Sequence, residues 1–218
     1  MNHSLNKSLY AIGIRITGDF TKKTLEEKSE WVDIEQTLIE ACYEMPSDNR
    51  LFSLVLSWVK VHGNYLISEK LIKLYKITSK TKGESPWFNA LVAFAAVECS
   101  HKFTKWVKPE KEIVYLGDKE SVEGLIAIKG AIPYFEKINI MMARSSLRIR
   151  ERDAFTQKEL ININLQYKNR YIFGPSWRAD IITAIENGIN NPYQIAKKIG
   201  CSYEPANRIF REYALANS

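Results

Sequence analysis

The chain has 218 residues, of which 45% are apolar and 26% are charged, a composition that fits one large folded domain or two small ones. It excludes wholesale disorder, collagen-like repeats and low complexity. The net charge of +6 permits an anionic partner without requiring one.

The excess of positive charge lies in the last third of the chain. Residues 1–143 carry 19 basic and 18 acidic side chains, a net charge of +1, whereas residues 144–218 carry 12 basic and 7 acidic ones, a net charge of +5. Eight of the ten arginines fall in this last part. The planar guanidinium of arginine suits bidentate hydrogen bonds to phosphates and guanine edges, whereas lysine contributes equally well to solubility. The split predicts two parts with different roles.

The first predicted elements follow a polar, lysine-rich start. Within that start, the patch 10–16 fits either a short strand or part of a first helix. Asp33 is placed to cap the next helix. Four apolar residues of that helix recur at steps of four, four and three, which puts them on one face; they are Ile34, Leu38, Cys42 and Met45.

Three more helices are predicted, over residues 51–62, 66–78 and 87–100. Gly63 is expected to end the first of them in the left-handed conformation, and a lysine-rich loop is expected over 79–83. The helix at 87–100 is apolar nearly all round, which is typical of the centre of a bundle. Its aromatic residues leave a second interpretation open, a ligand pocket formed by Trp58, Trp87, Phe88 and Phe94.

The stretch from 102 to 150 has the weakest pattern. Residues 112–117 fit a strand and 120–129 fit a short helix, while 133–142 and 147–150 fit either. Two interpretations stay open for the arginines that end this stretch, a charged surface linker or a strip that contacts phosphates. These arginines are Arg144, Arg148, Arg150 and Arg152.

Signals for catalysis, metals and membranes are weak. The longest uncharged run, 85–97, has 13 residues, whereas a membrane-spanning helix needs about 20. We read no signal peptide, and three widely spaced cysteines fit a reduced, cytoplasmic protein. With three histidines and no recognisable nucleophile, phosphate loop or zinc motif, no enzyme activity, metal or cofactor is predicted.

Residues 174–216 carry the clearest pattern, three short helices with tight connections. The first covers 177–186 and ends at Asn187-Gly188. Asn191 is expected to cap the second, with Pro192 in its first turn, where a missing N–H is tolerated. Gly200 ends that helix, and Ser202 is expected to cap the third.

This stretch, NPYQIAKKIGCSYEPANRIFREY, resembles the helix-turn-helix DNA-binding domains of bacterial transcriptional regulators, including winged types. Ala196 and, four residues later, Gly200 match the motif's close helix contact and tight turn. Five apolar residues lie where the motif helices would meet; they are Ile195, Ile199, Cys201, Ala206 and Ile209. Since only five residues follow Tyr213, we expect a wingless unit or one completed by upstream strands.

The resemblance implies a recognition helix over 202–213 that enters the major groove of double-stranded DNA. Once the apolar positions are assigned inward, the residues left to face DNA are Ser202, Tyr203, Glu204, Asn207, Arg208 and Arg211. Phosphate contacts are expected from Lys197, Lys198 and Arg178. Glu204 and Glu212 oppose DNA electrostatically, so the surface is not uniformly basic.

The sequence thus predicts a mainly α protein with minor β, an N-terminal helical bundle (residues 1–150) joined to a trihelical helix-turn-helix domain (residues 151–218). The predicted function is a sequence-specific transcriptional regulator that binds DNA as a homodimer. The N-terminal part would supply the dimer contact, or bind a protein partner or small-molecule effector. The alternative is a protein–protein interaction module, such as an antitoxin or a defence-system component.

Overall fold

The computed structural model describes residues 3–16 and 31–216. This part of the chain is mainly helical with one two-stranded sheet, which confirms the predicted fold class. Its α-helices are α1 (His3–Ala11), α2 (Ile34–Glu44), α3 (Asn49–His62), α4 (Ser68–Lys82), α5 (Pro86–Glu98), α6 (Lys119–Lys129), α7 (Pro133–Glu136), α8 (Gln157–Ile163), α9 (Leu165–Phe173), α10 (Trp177–Glu186), α11 (Pro192–Ile199) and α12 (Tyr203–Ala216). Short 3-10 turns cover Met45–Ser47, Gly63–Tyr65, His101–Trp106, Arg144–Ser146 and Glu151–Asp153.

Helix α5 lies at the centre of the N-terminal bundle, as its apolar sequence predicts. Six consecutive residues, 90–95, are buried, and they belong to one core cluster with residues of α1 to α4. The four aromatic residues considered for a ligand pocket are core residues as well: Trp58, Trp87, Phe88 and Phe94 are each at most 4% exposed. The Trp58 indole N–H donates to the carbonyl of Ile12 at 2.6 Å, so its polar atom is satisfied inside the core.

The helix predictions hold at most positions, with two corrections. Asp33 caps α2 and accepts from the Gln36 N–H. Residues 79–82 are not a loop, because α4 continues to Lys82 and ends at Gly83 with a φ of 82°. Gly63 is not left-handed, since its φ is −58°. A side chain is excluded there for a different reason: a Cβ would lie 2.8 Å from the Cys99 sulfur.

The ambiguous segments resolve into short pieces. Val114–Tyr115 (β1) pairs in parallel with Ile140–Met141 (β2), and α6 forms where a short helix is predicted. The patch 10–16 is helix up to Ala11, after which Ile14 forms an antiparallel bridge with Ala154. Both interpretations of that patch are therefore partly right.

Helices α10, α11 and α12 form a second, smaller core. Its buried members come from these helices: Ile181, Ile182, Ala184, Ile195, Ala196, Ile199, Ala206 and Ile209. Helices α8 and α9 contribute Leu160 and Tyr167 to the first core instead. Helix α9 packs against α10 and so connects the two cores.

A buried cluster of charges joins α9 and α10 to the bundle. Arg170 of α9 is fully buried. Its Nε and Nη2 donate to Asp180 of α10 at 2.7 and 2.8 Å. Its Nη1 and Nη2 donate to Glu35 of α2 at 2.6 and 2.7 Å. One guanidinium therefore binds carboxylates from the bundle and from the small unit at once.

Lys70 of α4 is the second cation of this cluster and is 1% exposed. Its Nζ lies 2.5 Å from Asp180 and 3.3 Å from Glu35, and it also pairs with Asp33 at the partly exposed rim. Gln166 completes the network by donating to Asp180 at 3.0 Å and to Asp33 at 3.2 Å. We call these six residues the buried ion cluster.

Opposite charges in the buried ion cluster shift the pKa values of Asp180 and Lys70 toward their charged forms. Burial on its own would raise the pKa of Asp180, but attraction to Arg170 and Lys70 outweighs it and lowers that pKa to about 2. For Lys70, burial acts to lower the pKa, and the three carboxylates outweigh it and raise the pKa. Asp180, Lys70 and Arg170, whose pKa is raised by the same carboxylates, therefore stay ionised throughout the neutral pH range.

His62, at the end of α3, is a second buried titratable group. Its Nε2 lies 2.8 Å from the carbonyl of Phe155, and its Nδ1 lies 2.8 Å from the Tyr167 hydroxyl. Because a carbonyl only accepts, Nε2 carries the proton and Nδ1 accepts from Tyr167. Burial lowers the pKa of His62, against the opposing effect of its bond to Phe155. The neutral imidazole is the form this site accommodates.

No helix in the described part of the chain is both long enough and apolar enough to cross a membrane. The three cysteines are free thiols in the structure, with Cys42 buried and the other two, Cys99 and Cys201, partly buried.

The first prediction concerns the buried ion cluster. Replacing Lys70 by Met leaves three buried or half-buried carboxylates against Arg170 alone, and removing one partner of a buried pair costs about 3–5 kcal/mol. The matched control is Lys105→Met, because Lys105 pairs with Glu69 at 2.9 Å on the surface, where such a pair contributes at most about 1 kcal/mol. Urea denaturation of both variants measures the difference. Equal urea midpoints would show that the cluster is not structural.

The second prediction concerns His62. The unfolded chain takes up its proton near pH 6.5, whereas the folded state resists protonation, so the free energy of unfolding should fall as pH drops below that value. The limiting slope is about 1.4 kcal/mol per pH unit. Urea denaturation at pH 7.5, 6.5 and 5.5 should show a smaller loss in His62→Gln than in the parent or in the control His101→Gln. An identical loss in all three proteins contradicts the assignment.

Candidate nucleic-acid interface

The local sequence builds the connection between α11 and α12. The Asn191 side chain caps α11 by accepting from the N–H groups of Tyr193 and Gln194 at 2.9 and 3.2 Å. Gly200 ends the helix in the left-handed region, with φ 78° and ψ 20°, and its N–H donates to the carbonyl of Ala196. The predicted cap and turn are both confirmed. The predicted Ser202 cap stays a prediction.

The inner faces of α11 and α12 pack as their apolar spacing predicts. Ile195, Ile199, Ala206 and Ile209 are each at most 4% exposed, and Cys201 packs beside them. Between residues 174 and 216 the structure has helices and turns and no strand. The expected wingless, trihelical unit is therefore what this range forms.

The outer face of α12 carries the residues predicted to face DNA. Ser202, Tyr203, Glu204, Arg208 and Arg211 are exposed, and Asn207 is half-buried. At 3.6 residues per turn, the members within the helix share one side of α12, opposite the buried Ala206 and Ile209. The structure thus brings the five helical residues together on one side of α12, which we call the α12 outer face, and Ser202 lies exposed just before the helix.

Ion pairs modify the charge of this surface. Glu212 lies 2.9 Å from Arg178 of α10 and 3.9 Å from Arg208, between their side chains. Arg178, predicted to bind phosphate, is therefore exposed but already paired with a carboxylate. Arg208 is 70% exposed, and among the described residues Arg211 has no ion pair. The strongest positive potential of the α12 outer face accordingly comes from Arg208 and Arg211.

Further cations surround the turn between α11 and α12. Lys197 and Lys198 are exposed at the end of α11, and the Lys198 ammonium lies 5.9 Å from the ring centre of Trp31. Lys73 of α4 donates to the carbonyl of Gly200 at 2.5 Å. The sequence did not predict this lysine for the site, because only the tertiary packing of α4 brings it to the turn. It adds a third positive charge there.

The buried ion cluster contains three carboxylates, as a metal site would, but a side-chain ammonium lies between them where a metal ion would bind. Oxygens of Asp33, Glu35 and Asp180 lie within 4.8 Å of one another. The position between them is taken by the Lys70 ammonium, which contacts all three carboxylates. Lys70 and Arg170 offset two of the three negative charges, so the cluster binds α10 to the bundle rather than presenting ligands to solvent.

No protein-family model, no curated protein and no solved structure matches this chain.

The third prediction tests the turn that positions α12. A Cβ at Gly200 would meet open space, so the cost of Gly200→Ala comes only from the left-handed backbone and should be about 1–2 kcal/mol. Gly124 in α6 is an ideal control, since a Cβ there also meets open space but the residue is helical. Gly124→Ala should stabilise by about 0.5–1 kcal/mol. Urea denaturation compares the two variants; shifts in the same direction would contradict the assigned conformation of Gly200.

Proposed function

We propose that this protein is a cytoplasmic, sequence-specific transcriptional regulator that inserts α12 into the major groove of double-stranded DNA. The observation that carries the proposal is the α12 outer face, where two arginines, an asparagine and a tyrosine are presented by a helix whose opposite side is buried. A helix-turn-helix unit presents its second motif helix to the base edges in this way, and the likeness supports the proposal.

The residue types of the α12 outer face fit base and phosphate recognition. Arg208 has the planar fork that donates two hydrogen bonds to guanine, and Asn207 has the amide that pairs with adenine. Ser202 and the first N–H groups of α12 suit a phosphate. Lys197, Lys198 and Lys73 flank the preceding turn, where positive charge would contact the DNA backbone.

The attachment of the unit supports the same function. A recognition helix gains specificity when its orientation is fixed before binding, because less conformational freedom is then lost. Asp180 of α10 lies in the buried ion cluster, and α10 packs directly against α12. The bundle therefore fixes the direction in which the α12 outer face points.

A homodimer is part of the proposal. One recognition helix reads only a few base pairs, so regulators of this type bind two half-sites related by a two-fold axis, about 34 Å apart. The N-terminal bundle would provide the contact between protomers, or the surface for an effector or partner that regulates binding.

One observation favours the alternative, a protein–protein module such as an antitoxin or defence-system component. Tyr193 is 66% exposed and Tyr203 is 54% exposed, and exposed tyrosines are typical of protein interfaces. Leu215, near the end of α12, is 80% exposed. Copurification of a stoichiometric protein partner without retention on DNA would favour this alternative.

The fourth prediction tests whether α12 recognises the base sequence of DNA. Selection from a random duplex library should recover a preferred sequence with inverted half-sites. Arg208→Ala should weaken binding to that sequence by about 1–3 kcal/mol and relax the preference at one base pair. Arg208→Lys should keep the salt dependence but lose much of the base preference, because it keeps the charge and removes the fork. Fluorescence anisotropy across a salt series measures both effects.

The control for this experiment is Lys80→Ala, which removes an exposed cation from the end of α4. It should leave the selected sequence and the affinity unchanged. If Arg208→Ala and Arg211→Ala bind every duplex as tightly as the parent does, the assignment of α12 as the recognition helix is wrong.

A further inference from the structure

The segment 144–152 is held in a defined conformation on the surface of the bundle. Leu147 and Arg150 have extended backbone dihedrals, and the residues between them lie along α3, where two serines one helical turn apart accept from the backbone. The Arg148 N–H donates to the Ser53 hydroxyl at 3.1 Å, and the Arg150 N–H donates to the Ser57 hydroxyl at 2.9 Å. The segment is therefore attached by its main chain, which leaves the side chains available.

Inward and outward side chains alternate in this segment. Leu147 and Ile149 pack against the first core, whereas Arg148 is exposed and Arg150 is half-buried. In extended backbone, residues two apart point to the same side, separated by about 7 Å. Arg148 and Arg150 therefore project together, away from the core.

Two further arginines flank the extended residues. Arg144, in the turn before them, is exposed and oriented by a 3.0 Å bond from its Nε to the carbonyl of Ala131. Arg152, in the turn after them, is exposed. Within the described ranges none of the four arginines forms an ion pair, and residues 144–152 contain one acid, Glu151. We call the four arginines the arginine strip; with Glu151 its net charge is +3.

We propose that the arginine strip binds the sugar-phosphate backbone of duplex DNA, as a contact separate from the α12 outer face. This inference rests on the proposed function, since it assigns a second surface to the same ligand. Each of the four guanidinium groups offers several hydrogen-bond donors. A row of such groups fits the successive phosphates of one DNA strand better than it fits isolated carboxylates. The backbone attachment to α3 holds them in place before the ligand arrives.

The strip carries no base-reading geometry, so its contribution should be independent of sequence. Each phosphate contact contributes about 0.9 to the slope of log affinity against log salt concentration. A strip that uses Arg148, Arg150 and Arg152 should therefore account for about 2 to 3 units of that slope. The base preference should depend on α12 alone.

The fifth prediction uses the full chain with three arginines replaced together, Arg148→Gln, Arg150→Gln and Arg152→Gln. Binding to a random-sequence 30-base-pair duplex should weaken, with a salt slope lower by about 2 to 3 and an unchanged preferred sequence. The corresponding triple lysine variant keeps the charge and should keep the slope. Removing the same charge elsewhere, with Lys80→Gln, Lys108→Gln and Lys111→Gln, should leave the slope unchanged. Thermal melting of all variants confirms that they are folded.

The outcomes separate this inference from the proposed function. If the triple glutamine variant keeps the parent's slope, the strip does not contact DNA, whatever the α12 variants do. If the α12 variants bind DNA like the parent and the triple glutamine variant does not, the arginine strip contacts DNA and the proposed role of α12 is wrong. If the glutamine variant loses binding to polyglutamate but not to the duplex, the strip serves an acidic protein and the inference is overturned. A parent that binds no duplex overturns both.

Discussion

The buried contact between Arg170 and its two carboxylates is the constraint on which the rest of the arrangement depends. Glu35 belongs to the bundle, Asp180 belongs to the trihelical unit, and Arg170 binds both with its one guanidinium. Charges without water are costly unless each has a partner, so neither carboxylate can leave without exposing an unpaired group. The two cores are therefore joined by an interaction that is satisfied in one relative position only.

This constraint reaches the α12 outer face through a short series of contacts. Asp180 holds α10, and the inner side of α10 packs against α12. Gly200 then sets the angle between α11 and α12, and Lys73 binds its carbonyl from the bundle. The elements that orient Arg208 are thus attached to the bundle at two points, Asp180 and the turn at Gly200. A signal received by the bundle would have to act on these contacts to change the orientation of α12.

Much of this architecture could be predicted from local sequence. Asn191, Gly200 and the apolar spacing of α11 and α12 act within a few residues of one another, so their roles follow from helix caps and periodicity. Gly63 could not be assigned, because the Cys99 sulfur that excludes a side chain comes from a distant helix. The sequence did contain one indication of the buried ion cluster. Lys70 and Asp180 each occupy a position in register with apolar residues, where a charge requires a partner.

The structure also shows how the positive charge of residues 144–218 is distributed. Eight arginines lie there, but they do not form one basic surface. Arg170 lies inside the buried ion cluster, where it pairs with Asp180, and Arg178 is paired with Glu212. The other six arginines divide between the α12 outer face, which carries two, and the arginine strip, which carries four. In the proposed function, base reading needs few guanidinium groups and backbone binding needs many charges, so the proposal places specificity on the smaller surface and affinity on the larger one.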